Sequence, residues 1–296
     1  MFVRYDILQV PNANNIHTSL SAHAGIALNA LIHDTVKDVK VCVMETINNH
    51  IIVLKALVGS HNYNLDTPES DKDYKYFVLP TLSDLYNGTF YSSSSEGKDM
   101  DYTVHDVRKL THLLWKANVN FLEVLYSREL VFTENAGNLK EFLLDNRADL
   151  CKMNLPYLYD ACVGMSINYW NRIKKATPTS EASIQKHGYA VKCAYQSLRI
   201  LDFLDRMVRF NFDFEKAACY QDGEEKGFLM AVKLGYRNFE EVEEQHTFFL
   251  ERAKEHETIF YHSGYQMDGP DTSLREQLIT ATSKLVFDCV KNGIIQ

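Results

Sequence analysis

The stretch that decides this chain is Val58-Gly59-Ser60-His61-Asn62-Tyr63-Asn64-Leu65-Asp66-Thr67-Pro68-Glu69-Ser70-Asp71-Lys72-Asp73. It follows a continuous apolar and β-branched run, 50–58 (HIIVLKALV), of the length and composition of a buried strand. A glycine and a serine where such a strand stops let the backbone come close to a phosphate, and the N–H groups of a helix starting there complement its charge. Ten residues later, Asp71 and Asp73 stand at i and i+2, a spacing that points both carboxylates to one side of an extended chain. Two carboxylates on one side suit a hard divalent cation. Magnesium takes one or two from the protein and completes its octahedron with water and substrate phosphates.

Working outward, 73–79 (DYKYFVL) reads as a second strand closed by Pro80, and 101–105 (DYTVH) as a third. Asp106 is placed to cap a helix over 107–117. Asp101, heading the third strand, is the candidate for the further carboxylate that two-metal phosphoryl chemistry recruits. Between the second and third strands, 87–99 (NGTFYSSSSEGKD) has four consecutive serines and no apolar period, and reads as a mobile loop. Upstream, 39–45 alternates as a strand would, and 2–10 offers a short one. Beyond about residue 140 the spacing turns helical, with helices expected over 139–153, 155–175, 184–209, 224–234, 239–258 and 273–292.

The bulk composition narrows the function. A chain of 296 residues with 46% hydrophobic residues can bury a sizeable core, in one large domain or two modest ones. A formal charge of −8 argues against a surface that is basic all round, so a polynucleotide partner would meet a local patch. The six cysteines are scattered, with no Cys-x-x-Cys pair and no zinc-ligand spacing, and read as free thiols of a reducing compartment. No window approaches the roughly 18 apolar residues of a membrane span, and residues 1–6 do not lead into a signal-like run. A soluble, cytoplasmic protein without a membrane partner is expected.

Each feature has a plainer reading. A Gly-Ser after an apolar run is common punctuation, and an Asp-x-Asp in a loop often only solvates a turn; it is their joint spacing that argues for a site. His61 reads as a hydrogen-bonded turn residue, Lys75 as a solvated strand lysine, and His105 as structural. The acidic run 240–244 is a solvated helix face, and the apolar positions of 189–212 are core.

These residues resemble the polymerase-beta-like nucleotidyltransferases, specifically the bacterial and phage branch that includes a phage RNA-ligase-associated protein. The branch pattern Gly-Ser-x-x-Tyr-x-Leu-x-Thr-Pro-x-Ser-Asp-x-Asp is matched from Gly59 to Asp73. Downstream, Asp101, Asp106-Val107-Arg108-Lys109 and Lys116-Ala117-Asn118-Val119-Asn120 with Leu122-Glu123 look like later family elements, with Ala117 and Val119 in place of the family's Gly and Pro. Lys192-Cys193-Ala194-Tyr195-Gln196-Ser197-Leu198-Arg199 is similar to a helix that carries two histidines in the family; here Cys193 and Gln196 replace them, while Lys192 and Arg199 remain.

The resemblance implies an α/β (α+β) fold, a mixed sheet of about five strands flanked by helices, followed by an all-helical C-terminal domain. The expected division is 1–140 for the nucleotidyltransferase domain and 141–296 for a helical domain closing over the nucleotide. It implies transfer of a nucleotide from a nucleoside triphosphate such as ATP to an acceptor hydroxyl, with pyrophosphate released. Asp71, Asp73 and Asp101 would hold Mg²⁺ or Mn²⁺ and act in catalysis, Gly59 and Ser60 would cradle phosphate, and Lys192 and Arg199, nearly two helical turns apart, would reach one triphosphate. An RNA or DNA end is the first expected acceptor. The alternatives are a protein side chain, as in antitoxins of related fold that adenylylate a toxin, and a nucleotide-binding protein without turnover.

Overall fold

The β-branched run 50–58 does become a strand, and the rest of the sheet is laid beside it. The computed structural model describes residues 44–97, 100–262 and 269–295. The strand expected over 2–10, and residues 39–43 of that expected over 39–45, lie outside them. The described residues fall into two units, one ending at Ile52 and the other beginning at Val53. In the first, β1 (Thr46–Ile47) pairs antiparallel with the start of β2 (His50–Val58) across Asn48 and Asn49, both at positive φ. Asparagine tolerates that region, and the pair makes a tight hairpin turn.

In the second unit, β2 ends at Gly59 and the one-turn helix α1 (Ser60–Tyr63) follows. Next come β3 (Lys72–Val78), α2 (Leu82–Asn87), β4 (Ser92–Ser95) and β5 (Met100–Asp106). Within this unit the sheet order is β2-β3-β5-β4, and β6 (Val131–Phe132) pairs antiparallel with β2. Strands β3 and β5 run parallel, β4 and β5 antiparallel, so the sheet is mixed. Val53, Leu54, Ala56, Phe77, Val78 and Val104 are wholly enclosed in its core.

The four serines expected in a mobile loop form the strand β4, with Ser92 opposite His105 and Ser95 opposite Tyr102. An edge strand needs no apolar face, so no hydrophobic alternation announced it; pairing with β5 supplies the order. Asp106 caps as expected, accepting from Arg108 N, but the element is a 3₁₀ turn at Val107–Lys109 running into α3 (Leu110–Trp115).

Helix α4 (Val119–Leu122) leads to a 3₁₀ turn at Glu123–Tyr126, and helices follow to the end of the described chain. These are α5 (Asn138–Asp145), α6 (Arg147–Leu150), α7 (Leu155–Trp170), α8 (Glu181–His187), α9 (Val191–Arg209), α10 (Phe214–Ala218), α11 (Glu224–Lys233), α12 (Phe239–His262) and α13 (Thr272–Lys291). The helix expected over 184–209 is broken because Gly188, at φ 79, takes the left-handed cap of α8. Helix α9 is the axis of this part, packed against α7, α11 and α12 and enclosed along most of its length. Ser166 and Ser197, both buried, let α7 approach it, their hydroxyls 2.7 Å apart. The five described cysteines are free thiols. Among the described residues no helix is long and apolar enough to cross a membrane.

Candidate active site

Gly59 sits at φ 74, ψ −149, a backbone setting that side-chain-bearing residues rarely adopt. A Cβ added there would lie 2.6 Å from Asp73 Oδ2, so the aspartate's carboxylate rests directly on the glycine. The Gly59 N–H donates to Glu123 Oε2 at 2.9 Å, and the Gly59 carbonyl accepts from Asn62 and Tyr63 N–H. The glycine thus turns the chain, fixes α1 and leaves room for the acid. Ser60 opens α1; the first N–H groups of a helix have no carbonyl within it to bond, and here those of Asn62 and Tyr63 take the Gly59 carbonyl instead.

From α1 the chain reaches the aspartates through a connection organised on Ser70. Its Oγ accepts from Thr67 N–H at 2.9 Å, and its carbonyl accepts from His61 Nε2 at 2.9 Å. His61 is therefore a hydrogen-bonded turn residue. Asp71 stands exposed just ahead of β3, and Asp73 lies half-buried within it.

The parallel register sets Asp73 opposite Asp101, Lys75 opposite Thr103 and Phe77 opposite His105, so one face of the sheet presents an acidic row, then a polar row, then an aromatic one. Burial pushes the Asp73 carboxyl above its ordinary value, and Asp101 pushes it further; Lys75 and Lys192 oppose this, while Asp71 adds to it. Asp101 Oδ1 also accepts the Gly97 N–H at 3.0 Å. A cleft of ≈ 320 Å³ opens on this face, lined by Gly59, Asp73, Lys75, Asp101, Thr103, Asn120 and Glu123. His105 flanks Phe121 and Phe77, and burial lowers its imidazole to about 4, so it is neutral near pH 7.

The two expected cations part company. Lys192, exposed in the first turn of α9, lies close enough to Asp73 to hold its carboxyl down. Arg199 is 4% exposed; its Nε and Nη2 donate to Gln196 Oε1 at 3.2 and 3.1 Å, and its guanidinium lies 4.4 Å over the Tyr63 ring. It props α1 from behind, and Gln196, one of the two residues that replace the family's histidines on this helix, is its partner.

Two residues were missed as site members. Glu123, buried, is the acceptor for the Gly59 N–H; the family element had drawn attention to it, but nothing local to it told of a contact 64 residues upstream. Lys233, on α11, donates from Nζ to Leu65 O at 2.6 Å and Ser70 Oγ at 3.1 Å. No motif surrounds it, and only the tertiary packing brings it there.

Among the described residues no three His, Cys, Asp or Glu side chains close into a metal cage. Asp73 facing Asp101, with Asp71 beside them, is instead an open acidic set whose mutual repulsion a divalent cation would relieve, and hard oxygen donors of this kind fit Mg²⁺ or Mn²⁺.

The chain is 29% identical over 114 residues to an uncharacterized 38.9 kDa protein from the nrdC-mobD intergenic region of Enterobacteria phage T4, a match covering 35% of this chain and 34% of that protein. The chain thus spans about a third of the curated relative it matches. A model of the RlaP family, the RNA repair pathway DNA polymerase beta family, matches residues 33–199, which hold the Gly-Ser turn, the three aspartates, Lys192 and Arg199. With more than half of its length so matched, the chain belongs to the RNA repair pathway DNA polymerase beta family.

Proposed function

We propose that this protein is a metal-dependent nucleotidyltransferase that moves a nucleotide from a nucleoside triphosphate to the hydroxyl of an RNA or DNA end. The observation that carries the reading is Asp73 set opposite Asp101 on adjacent parallel strands, with its carboxylate resting on Gly59 of the Gly-Ser turn. Family membership supports the same chemistry. Asp71 and Asp73 would hold Mg²⁺ or Mn²⁺, whose contribution when bound is to neutralise polyphosphate charge.

The chain's own residues do the rest. Gly59 and Ser60 bring backbone close to the phosphates, and Lys192 offsets charge on the leaving pyrophosphate. Arg199 acts from behind, by holding Tyr63 and with it α1. Asp101 orients the acceptor hydroxyl and takes its proton as the oxygen bonds to the α-phosphorus and the bond from that phosphorus to the β-phosphate oxygen breaks. The division of labour proposed is residues 1–140 for the chemistry and 141–296 for a helical domain that contributes Lys192 and closes over the nucleotide. We also place the protein in the cytoplasm.

The test is incubation with each α-³²P-labelled nucleoside triphosphate, Mg²⁺ or Mn²⁺, and total tRNA, a DNA oligonucleotide or cell lysate, beside an Asp71→Ala/Asp73→Ala control. Label moved to nucleic acid by the unmutated protein and not the control is expected. Label on protein would replace the acceptor with a side chain. Nucleotide binding with no label on any acceptor would sink the catalytic reading.

A further inference from the structure

The connection 64–72 joins the Gly-Ser turn to the aspartates, so its shape sets the distance between phosphate cradle and acidic pair. Its beginning is fixed from the helical part: Tyr220 N–H donates to Tyr63 O at 3.0 Å, and Asn64 Nδ2 donates to Tyr220 O at 2.7 Å. Its middle and end are fixed by Lys233, whose ammonium bonds Leu65 O and Ser70 Oγ together. Ser70 is the residue that already ties Thr67 and His61, and Asp71 follows it directly. Burial pulls the half-buried Lys233 ammonium below its ordinary value, as does Lys192, while Asp66 and Asp73 hold it up; the carbonyl and the hydroxyl accept its hydrogen bonds.

We propose, resting on the nucleotidyltransferase reading, that Lys233 is a positioning residue: it clamps the 64–72 connection to α11 and so holds the Gly-Ser turn and Asp71/Asp73 at the separation that metal and nucleotide require. Lys233 acts through Leu65 and Ser70 and does not itself touch the nucleotide. This makes α11, which carries no recognisable motif, part of the site.

Two measurements test it on the full chain. In hydrogen exchange, Lys233→Met should speed exchange of the amides of 65–72 about tenfold or more while those of β5 and α9 stay unchanged. Unchanged exchange in 65–72 would overturn the clamp; should Lys233→Met not fold, Lys233→Gln, which removes the charge, is judged by the same criterion. In calorimetry with ATP and Mg²⁺, Lys233→Met and Ser70→Ala should each weaken binding about five- to tenfold, and the double variant should be little worse than either, because both cut the same link. Losses that multiply would show that Lys233 meets the nucleotide directly and overturn the positioning role. Absence of ATP binding by the unmutated protein would count against the nucleotidyltransferase reading, and the exchange result would then decide the clamp by itself.

Discussion

At the scale of one residue, Gly59 shows how backbone freedom and site geometry are the same requirement. A side chain there meets two obstacles, a positive φ of 74° and the Asp73 carboxylate 2.6 Å from where its Cβ would stand. The backbone obstacle is worth about 1–3 kcal/mol. The steric one is relieved only by moving Asp73, the acid on which the proposed metal site depends. Gly59→Ala should therefore lose Mg²⁺-ATP binding, read by calorimetry, out of proportion to its loss of stability, read by urea unfolding; an alanine variant binding as tightly as the parent would refute this account of the turn. The need for glycine was legible at this position, because an apolar strand ended there with the aspartates following at a fixed spacing. What made the glycine obligatory, the acid lying against it, was not, since that contact is made across the fold.

At the scale of elements, the strands that carry the acids were legible from composition, and the pieces that brace them were not. Strands β3 and β5 begin one residue earlier than expected, and β2 has the expected limits. The 3₁₀ turn Glu123–Tyr126 has no readable period, yet it delivers the buried Glu123 to the Gly59 N–H and brings Asn62 Nδ2 within 3.4 Å of the Glu123 carbonyl. Burial pushes the Glu123 carboxyl above its ordinary value, while Lys75, the Gly59 N–H and Arg199 hold it down. Removing the acceptor strands a buried donor and the cations that face it, so Glu123→Ala should cost about 2–4 kcal/mol in urea unfolding. Glu123→Gln retains an oxygen for Gly59 and should cost clearly less. Equal losses in the two variants would mean that the Gly59 bond contributes nothing to the turn. The serine strand β4 teaches the same lesson from the other side: its order comes from β5, and residues chosen for an edge leave no apolar trace.

At the scale of the whole molecule, the helical part was legible as helices but not as a brace for the site. Its axis, α9, buries Asp202, whose carboxylate accepts the Tyr220 hydroxyl at 2.6 Å, and the backbone of Tyr220 holds Tyr63 and Asn64 beside the Gly-Ser turn. Burial raises the Asp202 carboxyl to about 6, even though the Tyr220 bond, Arg206 and Arg209 pull the other way. A carboxyl raised on folding binds its proton more tightly in the folded state than in the unfolded one. As pH climbs from the unfolded value near 4 toward 6, the unfolded chain gives up this proton first, and stability falls by up to about 3 kcal/mol through this group. Asp202→Asn keeps an oxygen for the Tyr220 hydroxyl and has no proton to lose. Thermal unfolding of the two proteins should therefore diverge with pH: relative to the parent, the asparagine variant gains stability between pH 4.5 and pH 7.5, whereas the neighbouring Asp205, bonded to His256 and Arg252, titrates alike in both. A difference in melting temperature that stays constant across that range would show that Asp202 is ionised in the folded protein throughout, and that the Tyr220 brace rests on charge rather than on a shared proton.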